Sequence, residues 1–449
     1  MICLSAGLAN AQNNGGFTWG GDVRLRNEYV NNAITLTDAS ATNEQDYFRV
    51  RLRLWGAAPI GPDTVFNARL AAEPRIWLNP SYAKQHPGEG TEYRYVLFDN
   101  LNLKWTGTTA NGNPTTVVIG RQDILLGDAG SWWLVADENP ADGSWTSFAD
   151  AVRLSLDHKE SKTRWDLVML DVNAHPGQRL PIVGDSSTYS MVEQDEQGVI
   201  LYASNKSLPD TQVDGYFMFK SNRKDFATGN NADIYTVGSK INGSPQDNLK
   251  YSIEGAYQWG SSQDAAVKYP VVASQRRDIA AYGGIAKITY LFKDALNNQI
   301  NFTAEYLSGD KASTPDKDEA FDILWGRYPR WGDAPLFSYT YEMGGRIGQF
   351  TNLIRIGPQW TCTPTKSSSF SVAYNILLSP ESTPTRALNP ALFSNSGSHD
   401  RGNLVQLLYR QKFSKQFSGL LCVEFLKQGD YYAKQDLETF VRAELVYTF

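Results

Sequence analysis

The sequence predicts an all-β fold, a transmembrane antiparallel β-barrel of about eighteen strands. Three observations predict it. Segments of about ten residues alternate apolar and polar side chains along the chain. Short connections between these segments alternate with long ones. No apolar run reaches the length of about 18 residues that a membrane helix needs. Lipid offers no hydrogen-bond partner to the backbone, so without such helices only a closed sheet spans a membrane.

Composition agrees. Of 449 residues, 12% are aromatic, with 23 Tyr and 37 Gly. Aromatic residues suit strands and membrane-interface girdles. The mean hydropathy of −0.40 resembles that of a soluble protein. A barrel allows this, because only alternate residues of its strands touch lipid. The net charge of −6 argues against a nucleic-acid binder. Cys3, Cys362 and Cys422 show neither metal spacing nor a disulfide framework.

Residues 1–11 read MICLSAGLANA. Ala9-Asn10-Ala11 before Gln12 has the form of a secretory cleavage site, so 1–11 is expected to be a signal-peptide remnant. Residues 12–449 are expected to form a single barrel domain.

The strands follow in order, each an alternating run. They are expected at 17–29, 46–57, 64–77, 93–105, 115–124, 147–157, 163–173, 197–205 and 211–220. The others are expected at 232–242, 249–260, 279–292, 298–309, 350–361, 368–379, 402–414, 417–428 and 437–449. An even number of strands suits a bacterial single-chain barrel.

The second strand is the clearest. Phe48, Val50, Leu52 and Leu54 share one face, and Arg49, Arg51 and Arg53 share the other. Guanidinium groups facing an apolar core would be very costly unless each were paired. Water inside a barrel and lipid outside it satisfy both faces. Tyr251, Ile253, Tyr257 and Trp259 oppose Lys250, Ser252, Glu254 and Gln258 in the same way. So do Phe370, Val372, Tyr374, Ile376 and Leu378 against Ser371 and Asn375. In the last strand Val441, Ala443, Leu445, Tyr447 and Phe449 oppose Arg442, Glu444 and Thr448. That ending, with Tyr447 and a final Phe449, resembles the C-terminal signal of bacterial outer-membrane barrels.

Short connections such as 58–63, 158–162 and 206–210 are expected to be periplasmic turns, and long ones such as 30–45, 125–146 and 310–349 extracellular loops. The first strand leads into a long loop, which puts both strand ends of the chain on the periplasmic side.

Several stretches resemble the alginate export family of outer-membrane barrels. They are Val118-Ile119-Gly120-Arg121-Gln122 with Gly127-Asp128, and Phe302 to Asp310 ending in Ser308-Gly309-Asp310. Phe321 to Pro329 with Trp331-Gly332-Asp333 is another, and so is Gln428-Gly429-Asp430-Tyr431-Tyr432, where Gln428 replaces the family's proline. The resemblance is strongest from about residue 115 onward. It implies an eighteen-stranded barrel of the bacterial outer membrane that passes an anionic polyuronate through a cationic lumen.

Alternation supplies the pore-lining candidates Arg24, Arg26, Arg49, Arg51, Arg53, Arg69, Arg75, Lys104, Arg153, Lys250, Lys287, Arg355, Arg410 and Arg442. Acids expected on the same side are Asp22, Glu28, Glu73, Glu254, Glu305, Glu424 and Glu444. Rings of Arg and Lys select anions, and arginine grips a carboxylate with two parallel donors. Cross-strand Arg–Glu ladders that only stiffen the wall account equally for any single arginine. The resemblance turns Arg121 toward the lumen, whereas alternation with Val117 and Ile119 turns it outward unless a bulge forms at Gly120. Loop tryptophans Trp132, Trp133, Trp145, Trp325 and Trp331 suit either sugar stacking or packing at the interface.

Nothing in the sequence points to an enzyme. His86, His158, His175 and His399 fall in loops or turns without metal-ligand spacing, and no nucleophile elbow or phosphate loop occurs. The expectation is therefore a passive outer-membrane channel without a cofactor. Its partners would be membrane lipid, an anionic or polar solute such as a polyuronate, and a periplasmic partner, with no nucleic acid. A general or oligosaccharide-uptake porin and a structural or adhesive barrel share the same fold.

Overall fold

A computed structural model describes residues 12–14, 16–79, 95–126, 148–184, 191–264, 276–326, 331–346, 348–384 and 386–449. The expected signal remnant, Gly127-Asp128, His86 and the tryptophans Trp132, Trp133 and Trp145 lie outside the described residues.

The wall is a closed antiparallel barrel of 18 strands. They run β1 (Phe17–Asn31), β2 (Glu44–Pro59), β3 (Thr64–Ala72, resuming as Arg75–Asn79), β4 (Tyr95–Thr108), β5 (Pro114–Gln122) and β6 (Ala149–His158). Next come β7 (Thr163–Val172), β8 (Gln194–Asn205), β9 (Thr211–Lys224), β10 (Asn230–Gln246), β11 (Leu249–Asp264) and β12 (Arg277–Leu291). The last are β13 (Gln299–Leu307), β14 (Leu353–Thr365), β15 (Ser368–Leu378), β16 (Asp400–Lys412), β17 (Phe417–Gln428) and β18 (Leu437–Thr448). Every strand expected from alternation is present, with ends shifted by a few residues. The break in β3 falls at Glu73-Pro74, where proline has no N–H to give the ladder. The Pro74 carbonyl still accepts from Val50 at 3.0 Å.

Pairing of β18 with β1 closes the barrel. Asp22 lies opposite Thr448 and Asn31 opposite Thr439. The backbone of Phe449 exchanges two hydrogen bonds with Gly21, each of 3.0 Å. No sheet edge is left in lipid, as a membrane barrel requires.

The two faces sort as the alternation predicts. Val23, Leu25, Leu52 and Leu54 are exposed, while Arg24, Arg26, Arg49 and Arg51 are buried within the barrel. The apolar band has a visible upper border. Val152, Met169, Val199, Phe219, Tyr235 and Trp259 form one cross-strand row. The next row with that parity, toward the long loops, holds Asp150, Asp171, Gln197, Ser221, Asp233, Ser261 and Asp278. The change from apolar and aromatic to acidic residues marks where acyl chains give way to headgroups.

The interior toward the long loops is filled. Leu97, Val168, Ile200, Met218, Ile234, Trp325, Tyr339, Leu353 and Leu404 belong to one buried cluster. Much of its filling comes from the connection between β13 and β14, which carries the helix α1 (Ala334–Glu342).

Candidate functional site

The site is the inner face of β1, β2 and β18 together with the β13–β14 connection. Ladder register sets the first part. Arg24 lies opposite Arg51, and Arg26 opposite Arg49. Across the closing seam Arg26 lies opposite Glu444, and Glu28 opposite Arg442. Guanidinium and carboxylate groups therefore share one inward surface. Arg26 donates to Glu444 at 2.7 Å, and Arg442 donates to Glu28 at 2.7 Å. Arg51 and Arg53 hold the two oxygens of Asp22 at 3.1 and 2.7 Å. Arg24 bonds Glu73, and Arg49 reaches the same carboxylate at 3.2 Å. The sequence suggests water for these arginines; the fold supplies carboxylates instead. Arg26 and Glu28 are each 0% exposed, which a charge tolerates only when paired.

The other candidates are spread around the wall. Arg69 holds Asp99 at 2.7 Å and grips both oxygens of Asp123 at 3.0 and 2.9 Å. Arg75 lies over the rings of Tyr47 and Trp77. Arg153 donates to Asp166 at 2.9 Å. Arg355 bonds Glu305 at 2.9 Å and Asn375 at 3.0 Å, with its guanidinium 4.7 Å from the Trp331 ring. Lys104 is exposed near the start of the 109–113 turn, and Arg410 is half-buried. Both ladders of β5 keep their register through Gly120, so no bulge re-aims Arg121. Arg121 binds Asp150 at 2.8 Å and the Phe98 carbonyl at 3.0 Å. The Phe148 ring covers its guanidinium at 4.1 Å, leaving no open face toward a bore.

The β13–β14 connection crosses the barrel. Near its beginning Ser262 of β11 donates to Asp318 at 2.7 Å. Gln258 exchanges hydrogen bonds with the Asp322 backbone at 2.7 and 2.9 Å. Lys220 of β9 donates to the Leu324 carbonyl at 2.8 Å. Trp325, 1% exposed, covers Gly198 of β8, where a Cβ would lie 2.3 Å from the ring. On the far side Gln406 of β16 donates to the Trp331 carbonyl. Glu424 of β17 accepts the Asp333 and Ala334 N–H groups at 2.9 and 2.7 Å. Arg442 holds the Asp333 carboxylate at 2.6 Å. Ser338 donates to Glu438 of β18 at 2.5 Å, and Glu342 takes Arg401 and the Tyr432 hydroxyl, the latter at 2.7 Å. Burial raises the Glu342 carboxyl above its ordinary value, more than Arg401 lowers it. The described parts of the segment on either side of 327–330 are thus tied to opposite walls.

Trp325 and Trp331 therefore pack inside the barrel. The sequence marks Glu424 only as a lumen acid, and the anchoring roles of Glu342, Glu438 and Ser338 emerge from the fold. The acids at 424 and 438 have the inward parity of their strands, but what they hold is a segment about a hundred residues away. Among the described residues, no group of three or more His, Cys, Asp or Glu is arranged to hold a metal ion.

Solved structures share this architecture. Acinetobacter baumannii OccAB2 is 12% identical with a TM-score of 0.55, the match covering 96% of this chain and 98% of that one. Pseudomonas aeruginosa OccD3 (OpdP) is 11% identical with a TM-score of 0.52, covering 98% and 93%. Pseudomonas aeruginosa OprD is 11% identical with a TM-score of 0.52, covering 98% and 97%. At such identities the likeness concerns the fold. No curated protein matches the sequence. The alginate export family model matches residues 17–444, which is nearly the whole barrel. The chain belongs to the alginate export family and is a channel-type barrel of the bacterial outer membrane.

Proposed function

We propose that the protein is a passive channel for an anionic solute, with a polyuronate as the case its family suggests. The observation that carries this reading is the arginine column Arg24, Arg26, Arg49, Arg51 and Arg53 beside Arg442. Among the described residues these guanidiniums bond Asp22, Glu28, Glu73, Asp333 and Glu444. Such a patch favours anions, and planar guanidiniums suit carboxylates in particular. Each acid holds its arginines in place, so a passing carboxylate meets a fixed array. Binding at any rung must stay weak enough for release. Direction would follow the gradient or a periplasmic partner.

A second reading is uptake of a smaller polar solute or oligosaccharide. The barrel-crossing segment favours it, because a polymer would pass only after that segment moved. One experiment separates the readings. Current through planar bilayers is measured with polyuronate, neutral oligosaccharide, or neither. Anion-selective current blocked by the polyuronate alone supports the first reading. Equal block by neutral sugar supports the second. Replacing Arg49, Arg51 and Arg53 with Gln lowers anion selectivity under the first reading, and unchanged selectivity overturns it.

A further inference from the structure

The wall arginines described above are largely met by carboxylates. Cationic charge without such partners collects elsewhere, at the turn end of β6–β9. A cavity of about 480 Å³ opens there, bounded by Arg153, Asp166, Tyr202 and Gln212 above and by turn residues below. Its two acids are already engaged. Arg153 and Arg164 hold Asp166 at 2.9 and 3.1 Å, and Arg164 also holds Asp157 at 3.1 Å. Three lysines complete the lining, Lys159 and Lys162 from one turn and Lys206 from the next. Among the described residues none of the three forms an ion pair. The two arginines offset the two aspartates, so the lysines set the sign of the cavity.

The turns that carry them are joined. The Lys206 N–H donates to the Lys162 carbonyl at 2.9 Å. The Asn205 amide donates to the Ser161 carbonyl and the Thr163 hydroxyl, both at 2.8 Å. The Lys159 N–H donates to the Asn113 side chain at 3.1 Å, linking a third turn. These bonds fix the lysine backbones while the ammonium groups keep their reach. A lysine is a mobile point charge, suited to catching an anion whose geometry is not fixed beforehand. A recess lined by one sign of charge also raises the local concentration of its counter-ion.

We infer that this recess is a periplasmic capture site for a solute carrying two or more carboxylates, held by Lys159, Lys162 and Lys206 before it enters the barrel. The inference rests on the anion-channel reading and gives it an entrance. The volume falls within the range of small-molecule sites, so it would seat a di- or tricarboxylate or the end of a uronate chain.

The test uses the full chain in planar bilayers of known orientation, with citrate or trigalacturonate as probe and maltotriose as neutral control. Probe added to the periplasmic chamber blocks current at lower concentration than probe added opposite, and added salt weakens the block. Combining Lys159→Gln, Lys162→Gln and Lys206→Gln raises the half-blocking concentration at least tenfold. Lys293→Gln, at another turn and paired with Asp247, leaves it unchanged. Block by citrate and trigalacturonate alike supports a general carboxylate site, and block by trigalacturonate alone one that takes the end of a uronate chain. Equal block of the triple variant and the parent overturns the site, as does block by maltotriose. A channel without anion selectivity that still shows lysine-dependent block refutes the proposed function and keeps the site. An anion-selective channel without that block refutes the site alone.

Discussion

Glu424 accepts the backbone N–H of Ala334 at 2.7 Å, so a carboxylate on the barrel wall caps a helix inside the lumen. The helix has no side-chain cap of its own from Asp333. Unpaired N–H groups at a helix start attract a negative charge, typically by about 0.5–2 kcal/mol. Glu424→Ala removes this anchor while Arg442 keeps Asp333. The expected result is a folded barrel with a looser crossing segment, seen as raised and noisier single-channel conductance. A quiet trace at the parental conductance would show that Glu424 does not hold the segment.

Gly198 tests the opposite end of the same segment. Any side chain there meets the Trp325 ring, because a Cβ would lie 2.3 Å from it. Gly198→Val therefore displaces Trp325 from a site where it is 1% exposed. Its fluorescence should shift to the red and become quenchable from solution. The wall itself should persist, since β-branched residues suit a strand. Parental emission and quenching would contradict this packing.

How much of this was legible in the sequence differs between wall and lumen. A strand announces its faces at every second residue, so Arg49, Arg51 and Arg53 opposite Leu52 and Leu54 could be read directly. Their partners could not. Glu73 and Asp22 carry the right parity, but which guanidinium each meets depends on a register between separate strands, and for Glu28 and Arg442 on closure of the ring. The crossing segment was less visible still. Its anchors Gly198, Lys220, Gln258, Glu424 and Glu438 come from five strands, and no local pattern in 308–352 says whether it folds outward or inward. Gly120 is a different case. Its φ of 120° bends the backbone, but it does not shift the register that would have re-aimed Arg121.

Glu28 should be the most costly acid to remove. It takes Arg442 at 2.7 Å and Arg26 at 3.3 Å, with Arg49 at 3.7 Å. Glu28→Ala leaves these buried guanidiniums short of countercharge. Breaking one buried pair costs about 3–5 kcal/mol. Heat-dependent band shift on a gel reads this as unfolding at lower temperature. Glu28→Gln, which keeps hydrogen-bond acceptors but not the charge, should fall between. Parental heat resistance of Glu28→Ala would mean the seam does not depend on this network.

The pH response follows from Glu342. Docking of the crossing segment buries this carboxyl among Arg401, Tyr339, Tyr431 and Tyr432 and raises it above the ordinary value of 4.5. A raised acid favours its protonated form in the docked state. The contribution is complete below the value of the undocked carboxyl and is lost as pH rises through the docked value. Glu342 by itself therefore favours docking in acid, and the part of the pH response that it controls is a rise of conductance above about pH 4.5. Glu342→Gln mimics the protonated side chain and keeps an acceptor for Tyr432. It should flatten that climb and keep the channel in its low-conductance state. A pH profile unchanged by the substitution would assign the response to another group.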